Sequence, residues 1–163
     1  MVIASAQIPA FFTEGEADRG EGLEALAEDG NPAALAAASG GTAFNTPDGA
    51  SEPGPLLPGD SYIVEFTSAP GHYLDFATML VQTNDWFFGP QASGIALFDE
   101  EGAPISGDIT DQVVLWDAGT EVDQTPGVGP TKRRVRAALT PAMSTPTTPF
   151  ASSRTFRLRA RLS

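Results

Sequence analysis

The sequence predicts an all-β fold, an antiparallel β-sandwich with a short helical insertion, built as a single domain over residues 1–163. Two patterns predict it. From residue 61 onwards, short segments alternate apolar and polar residues and are separated by glycine- and proline-containing turns, as in a sandwich. Before that point, one segment has apolar residues at helical spacing instead. There is no cysteine, which excludes disulfides and thiolate chemistry.

The helical insertion is predicted as two short helices. Apolar residues recur at helical spacing within Gly20–Gly30, and the final glycine suits a C-terminal stop. Asn31-Pro32 then supplies a cap and a proline at the first helical position for a second helix, Ala33–Ala38, which Gly40-Gly41 ends. Residues 41–60 are rich in glycine, proline, aspartate and serine, which predicts a loop.

The strands follow in order after the loop, and no strand is predicted within residues 1–19. The first strand shows the alternation clearly, since Tyr62, Val64 and Phe66 share one face. Asn84-Asp85 interrupts the second strand, and the acidic turn Asp99–Gly102 follows the third. The predicted strands are Tyr62–Phe66, Tyr73–Gln82, Gly94–Phe98, Gln112–Trp116, Arg133–Leu139 and Thr155–Leu162. The segment Thr140–Ser153, rich in proline, threonine and serine, is predicted to be a loop.

Charge is distributed unevenly along the chain, whose net charge is −12. All 21 acidic residues lie before position 132, where Arg19 is the single basic residue. An acidic body of this kind repels nucleic acid and attracts cations, so no nucleic-acid partner is predicted. In the basic tail, residues 132–163, arginines at 157, 159 and 161 alternate with apolar residues, which predicts a half-buried strand paired with acidic strands. Polyanion binding by this tail is the alternative reading.

The sequence also bears on membranes and targeting. No apolar run approaches the ~18 residues that a membrane helix needs, so no transmembrane segment is predicted. The first residues have no basic flank and no sustained apolar core, so no signal peptide is visible. The sequence then starts after a cleaved signal or downstream of its true start, with cytoplasmic residence as the alternative.

The first candidate site is Thr83–Trp86, directly after an apolar strand. Asn84 and Asp85 offer the hard oxygen ligands that suit Ca²⁺, whereas the alternative is a turn in which both side chains bond their own backbone. Three aromatic residues follow, Trp86–Phe88, and they cannot all point into one core. One of them is expected to be exposed or to cover the loop, where it would serve a partner or a membrane surface; plugging of the core is the alternative.

The second candidate site is Asp117–Glu121, with Asp123 two residues further on. It also follows a strand end, and two loops that leave a sandwich at the same end can pool their carboxylates. Clustered like charges are costly unless a cation neutralises them, which is the physical argument for a metal here. The spacing is not that of an EF-hand.

Catalytic patterns are weak, and the prediction is that the protein is not an enzyme. Its single histidine, His72, lies beside a turn, and neither a nucleophile elbow nor a phosphate-binding glycine loop occurs. Zinc is disfavoured without cysteine or a second histidine. A glycoside hydrolase using a pair of acids remains an alternative, since 21 acids make pairs inevitable.

Three motifs together resemble the spondin domain family, which includes the N-terminal domain of F-spondin and mindin and occurs in many bacterial secreted proteins. The similarity covers about residues 11–130. The motifs are EGLEALAED at Glu21–Asp29, ATMLV…NDWFFG at Ala77–Gly89, and WDAGTE at Trp116–Glu121.

The resemblance implies a β-sandwich similar to calcium-dependent phospholipid-binding domains, with a bound Ca²⁺, secretion, and a role in adhesion or recognition. By motif match, Asp85 is implied as the first metal ligand, with Asp117 and Glu121 next. Asn84 is implied either to ligate or only to shape the turn. Two further acids, at positions 65 and 75, are possible contributors that the motifs do not fix. The expected function is therefore a secreted, non-catalytic, calcium-binding module for an extracellular protein, a glycan or a membrane surface. A metal-free structural module of a cell surface or matrix is the alternative.

Two departures from the family pattern stand out. The family begins with a strand before the region that matches Ile3–Phe12, and this strand is predicted to be missing. After Gly127–Pro130 the family continues with an acidic, glycine-rich stretch, whereas residues 132–163 hold arginine, threonine and proline and no acid. Thr155–Leu162 is still expected to supply a last strand, and an altered reading frame or an unrelated extension is the alternative for this tail.

Overall fold

The chain enters a central β-sheet at its second residue. The computed structural model describes residues 1–6, 11–81, 83–91, 93–122 and 157–162. Its helices are α1 (Leu23–Asp29) and α2 (Ala33–Ser39), with one turn of 3₁₀ helix at Thr110–Gln112. Its strands are β1 (Val2–Ala6), β2 (Thr42–Ala43), β3 (Ile63–Ser68), β4 (Tyr73–Met79), β5 (Trp86–Pro90), β6 (Ile95–Ala96), β7 (Val113–Asp117) and β8 (Arg157–Leu162).

The main sheet is open and antiparallel, with strand order β2-β1-β4-β5-β7 and β6 paired to β4. Its centre is the β1–β4 ladder, in which Ile3 lies opposite Phe76. At the β5–β7 ladder, Phe87 lies opposite Trp116. The structure therefore confirms a mainly β fold that carries two short helices.

Each face of this sheet is covered by a different layer. On one face the two helices pack against β1, β4, β5 and β7, and on the other β3 packs against β1, β4 and β6. Neighbouring residues of β4 serve opposite cores, since Phe76 joins the β3 side and Ala77 the helix side. The helix-side core includes Val2, Leu23, Leu26, Ala27, Leu35, Phe87 and Trp116.

The two helices begin and end close to where the sequence predicts. Gly30 and Gly40 both adopt a left-handed conformation, with φ of 67° and 66°, and end their helices as expected. The Asn31 Oδ1 atom accepts the backbone N–H of Ala33 at 3.1 Å, which satisfies one free donor of α2.

A second, two-stranded sheet pairs β3 with β8, and the pair is parallel. The strand predicted at Thr155–Leu162 is confirmed over Arg157–Leu162, and Glu65 lies opposite Arg159 in its register. The expected antiparallel direction is wrong for this pair. An alternating pattern has the same period in both directions, so it carries no information on strand direction.

Three strands of the main sheet were not predicted: β1, β5 and β2, the last of which lies within the loop expected over residues 41–60. Strand β2 has only two residues. In β1, which contributes to both cores, and in the aromatic part of β5, apolar residues fill consecutive positions, so the alternation disappears. The strand predicted at Arg133–Leu139 and the loop predicted at Thr140–Ser153 lie outside the described residues. Over the described ranges, neither helix has the length and hydropathy to cross a bilayer.

Candidate metal centre

Two loops meet beside the adjacent ends of β5 and β7. The hairpin between β4 and β5 turns tightly, since Thr83 Oγ1 and the Thr83 N–H both bond the Leu80 carbonyl, at 2.7 and 3.2 Å. Beyond the end of β5, the backbone N–H of Ala118 donates to the Asp85 carbonyl at 3.1 Å. This bond extends the β5–β7 pairing by one residue and sets the Asp85 side chain against the loop that follows β7.

The Asp85 side chain is fully buried, with an exposed fraction of 0%. Its Oδ2 atom accepts the backbone N–H groups of Thr120 and Glu121, both at 2.9 Å, and has a longer contact of 3.4 Å with Thr120 Oγ1. Its Oδ1 atom is buried and has no hydrogen-bond partner among the described residues. A buried carboxylate oxygen without a donor is costly, and a cation is one group that would compensate it.

A second carboxylate reaches this place from helix α1. Glu28 is only 6% exposed, and it is hydrogen-bonded to the side chain of Thr120. Burial raises the pKa of Glu28, and the nearby charges of Glu121, Glu24 and Asp85 raise it further, while the Thr120 hydrogen bond opposes the shift. The charges of Asp85 and Glu121 therefore act on Glu28, and Thr120 links Glu28 to the Asp85 carboxylate.

Glu28 was missed by the sequence reasoning. Helical periodicity identified α1 and its apolar stripe, and Glu28 directly follows the buried Ala27 on that stripe. Nothing in the spacing shows which acid of the helix meets the end of a strand that comes much later in the chain. The signal is tertiary, since it depends on how α1 packs across β4 and β5.

The other expected ligands occupy different positions. Asn84 Nδ2 donates to the Val122 carbonyl at 2.8 Å, so this amide ties the two loops together. Asp117 Oδ1 accepts the Gly119 N–H at 2.7 Å and shapes the turn after β7. Asp117 is opposite Trp86 in the ladder, and strand alternation places both on the face away from Trp116. The structure thus brings Glu121 to Asp85 but places Asp117 on the opposite face.

The two possible contributors lie elsewhere in the sheets. Glu65 is exposed on β3. Asp75 is 4% exposed within β4. Its Oδ2 atom accepts the backbone N–H of Phe11 at 3.3 Å, which fixes the position of the chain that leads into α1. Asp123 lies outside the described residues.

The aromatic run beside the site is divided between the two faces. Phe87 is 1% exposed in the helix-side core, whereas Trp86 and Phe88 are half-buried on the other face. Strand alternation explains the division. Phe87 therefore plugs the core, whereas Trp86 and Phe88 are neither buried nor fully exposed.

As they stand, no three aspartate, glutamate, histidine or cysteine side chains in the described part of the chain form a group that could hold a metal ion. Calcium sites also use backbone carbonyl, amide and water oxygens, so fewer than three carboxylates can hold this ion. The unpartnered Oδ1 atom of Asp85 is the observation that fits a cation. Comparisons with known proteins add no support for a family, because no family model, curated protein or solved structure matches the chain.

Proposed function

We propose that the protein is a spondin-like, secreted, non-catalytic recognition module that binds Ca²⁺ at Asp85. The observation that carries the proposal is the fully buried Asp85 carboxylate, one oxygen of which has no partner among the described residues. The three motifs shared with the spondin family support the same function. In this proposal the main sheet and the β3–β8 pair are the two layers of a sandwich, as in calcium-dependent phospholipid-binding domains.

The chemistry of the site favours a hard cation such as calcium over the softer transition metals. The possible ligands near the free oxygen are carboxylates, whose oxygen atoms suit Ca²⁺. Asp85 is held rigidly by two backbone N–H groups, while Glu28 and Glu121 supply further negative charge beside it. A divalent cation would neutralise this charge and order the loop after β7, next to Trp86 and Phe88. The partner would be an extracellular protein, a glycan or a membrane surface.

Burial supports a role in binding and not in hydrolysis. The Asp85 and Glu28 carboxylates are 0% and 6% exposed, respectively. A glycoside hydrolase needs its two carboxyl groups on either side of a sugar, with room for the substrate between them. A pair with so little accessible surface leaves no such room.

A metal-free structural module is the second candidate, and one observation favours it. Asp85 Oδ2 already accepts two backbone N–H groups, so this residue can organise the loop without a cation. The two candidate functions therefore predict different effects of calcium on the midpoint of thermal unfolding.

Thermal unfolding in excess EDTA, in millimolar Ca²⁺ and in millimolar Mg²⁺ separates them. Binding to the native state alone raises stability by about 2.7 kcal/mol at one hundred times the dissociation constant. We expect a rise in midpoint with Ca²⁺ that Mg²⁺ does not reproduce. The Asp85→Asn variant should lose that rise.

Asp99→Asn is the matched control, because Asp99 Oδ1 also accepts two backbone N–H groups in a turn, those of Glu101 and Ala103. Asp99 is exposed, so its replacement should leave the calcium response unchanged. A cooperative transition that does not respond to Ca²⁺ would favour the structural module instead. An equal response in wild type and Asp85→Asn would remove Asp85 from the site.

A further inference from the structure

The helical insertion contributes an acid to the Asp85 site that neither the motif comparison nor the loop pattern assigns. Glu28 lies in the last turn of α1 and is only 6% exposed, which is unusual for a charged residue on a short helix. Its position is fixed by the packing of its own helix, because Leu26 and Ala27 just before it are both 0% exposed in the helix-side core.

The hydroxyl group of Thr120 connects Glu28 to Asp85. Thr120 Oγ1 lies 3.4 Å from Asp85 Oδ2, and the same side chain is hydrogen-bonded to Glu28. One hydroxyl carries one hydrogen, so it cannot donate to both carboxylates at once. The two acids are thus linked through the side chain of a single residue, Thr120.

A second observation points to a ligand at this place. The Oδ1 atom of Asp85 is buried and has no hydrogen-bond partner among the described residues. The Oδ2 atom of the same carboxylate, by contrast, accepts two backbone N–H groups. Buried carboxylates that adjoin one another are stabilised when a cation lies between them, since the cation replaces the missing donors and opposes the repulsion.

We propose that Glu28 is a calcium-binding residue of the Asp85 site, so that calcium fastens helix α1 to the loop that follows β7. The proposal rests on the proposed function and adds a third element to it. Asp85 comes from the β4–β5 hairpin, Glu121 from the loop after β7, and Glu28 from α1. Asp117 is the less suitable third acid, because strand alternation places it on the opposite face and Gly119 engages its Oδ1 atom.

Calcium binding measured by isothermal titration calorimetry tests the role of Glu28. The Glu28→Gln variant keeps the shape of the side chain and removes its charge, and Glu21→Gln is the matched control. Glu21 lies just before α1, is exposed, and loses the same charge on substitution. We expect the dissociation constant to rise about 10- to 100-fold in Glu28→Gln, as when a group that supports a metal ligand is lost, and to stay within about twofold of wild type in Glu21→Gln.

Hydrogen exchange tests the coupling to the helix. In wild type, calcium should slow exchange of the α1 amides, including the Leu26 N–H that bonds the Gly22 carbonyl. In Glu28→Gln, calcium concentrations that fill the site should leave exchange in α1 unchanged.

The outcomes separate the two proposals. If wild type binds calcium and Glu28→Gln binds it equally well, the role of Glu28 is wrong and the Asp85 site stands. If wild type binds no calcium in a cooperatively folded sample, both fail. If Glu28→Gln binds weakly but calcium never slows exchange in α1, the residue assignment holds and the coupling to the helix is overturned.

Discussion

The buried carboxylate of Asp85 accepts the backbone N–H of Thr120 at 2.9 Å, although 35 residues of sequence separate the two. The same oxygen accepts the Glu121 N–H, so one carboxylate oxygen fixes two successive residues of the loop after β7. The other oxygen has no partner among the described residues. Asp85 itself therefore fixes the shape of the loop. The negative charge of Asp85 needs another group to compensate it. Experiments can address these two properties separately.

Removal of the Thr120 hydroxyl should lower the free energy of unfolding when no cation is present. Thr120→Val keeps the shape of the side chain and the backbone N–H, but it removes the hydrogen-bond partner that Asp85 Oδ2 and Glu28 share. We expect the free energy of unfolding in urea with EDTA to fall by about 1.5–3 kcal/mol, the range for a hydrogen bond to a charged group. Thr120→Ser keeps the hydroxyl and should fall by less than Thr120→Val. An unchanged free energy of unfolding in Thr120→Val would show that the hydroxyl does not contribute, and any loss in Thr120→Ser would then belong to the methyl group.

The raised pKa of Glu28 predicts how stability depends on pH. The folded protein holds this proton to higher pH than the unfolded chain, whose glutamate has the ordinary pKa of 4.5. The resulting stabilisation is complete below pH 4.5 and is lost as pH rises through the raised pKa of Glu28. Urea unfolding across this window in EDTA should therefore show a decline in wild type that Glu28→Gln lacks.

Calcium should reverse the effect of pH on this residue. A bound cation favours the ionised carboxylate, so calcium binding should release a proton in that window, measurable as a heat that depends on the buffer. In the absence of calcium, the pH prediction has its own contradicting outcome. Free energies of unfolding of wild type and Glu28→Gln that change in parallel with pH in EDTA would contradict the raised pKa of Glu28.

The sequence predicted the elements whose signals lie within a few neighbouring residues. It missed elements whose position depends on tertiary contacts. The two helices were found because glycine stops and helical spacing are read within a few residues. Strands β3 and β4 were found from their alternation and turns. Strand β5 was not, since Trp86, Phe87 and Phe88 are all aromatic and consecutive apolar residues show no alternation.

The candidate site shows the same limit. Loops that follow strand ends were expected to meet, and the structure brings Asp85 to the residues at 120 and 121. The calcium role of these residues stays a prediction. Glu28 joins them only because α1 packs across the sheet, and Asp117 is set apart by strand alternation, a relationship that needs the observed register. The positions of Glu28 and Asp117 therefore cannot be predicted from the spacing of residues in the sequence alone.

Gly22, the residue before α1, lies close against α2, so its substitution should be severe. Gly22 has a φ of 104°, and a Cβ atom there would lie 2.6 Å from both the Ala34 Cβ and the Leu35 nitrogen. Gly22→Ala should lower the free energy of unfolding by about 2–4 kcal/mol through backbone strain and overlap, measured in urea. Gly20→Ala is the control, because Gly20 also has a positive φ, 72°, but has nothing within 4 Å of the added atom. It should cost about 1 kcal/mol, and equal losses would show that overlap at Gly22 is relieved by movement of the helices.

The two adjacent phenylalanines of β5 should respond differently to truncation, because they serve opposite faces of the sheet. Phe87 is 1% exposed and packs edge-on against the Phe12 ring, with centroids 5.4 Å apart. Phe87→Ala should lower the free energy of unfolding by about 3–5 kcal/mol, as expected for a buried aromatic residue. Phe88→Ala removes a half-buried ring on the other face and should cost clearly less. Because a slip of one residue in a strand exchanges its two faces, a larger loss for Phe88→Ala than for Phe87→Ala in urea would contradict the observed register of β5 against β7.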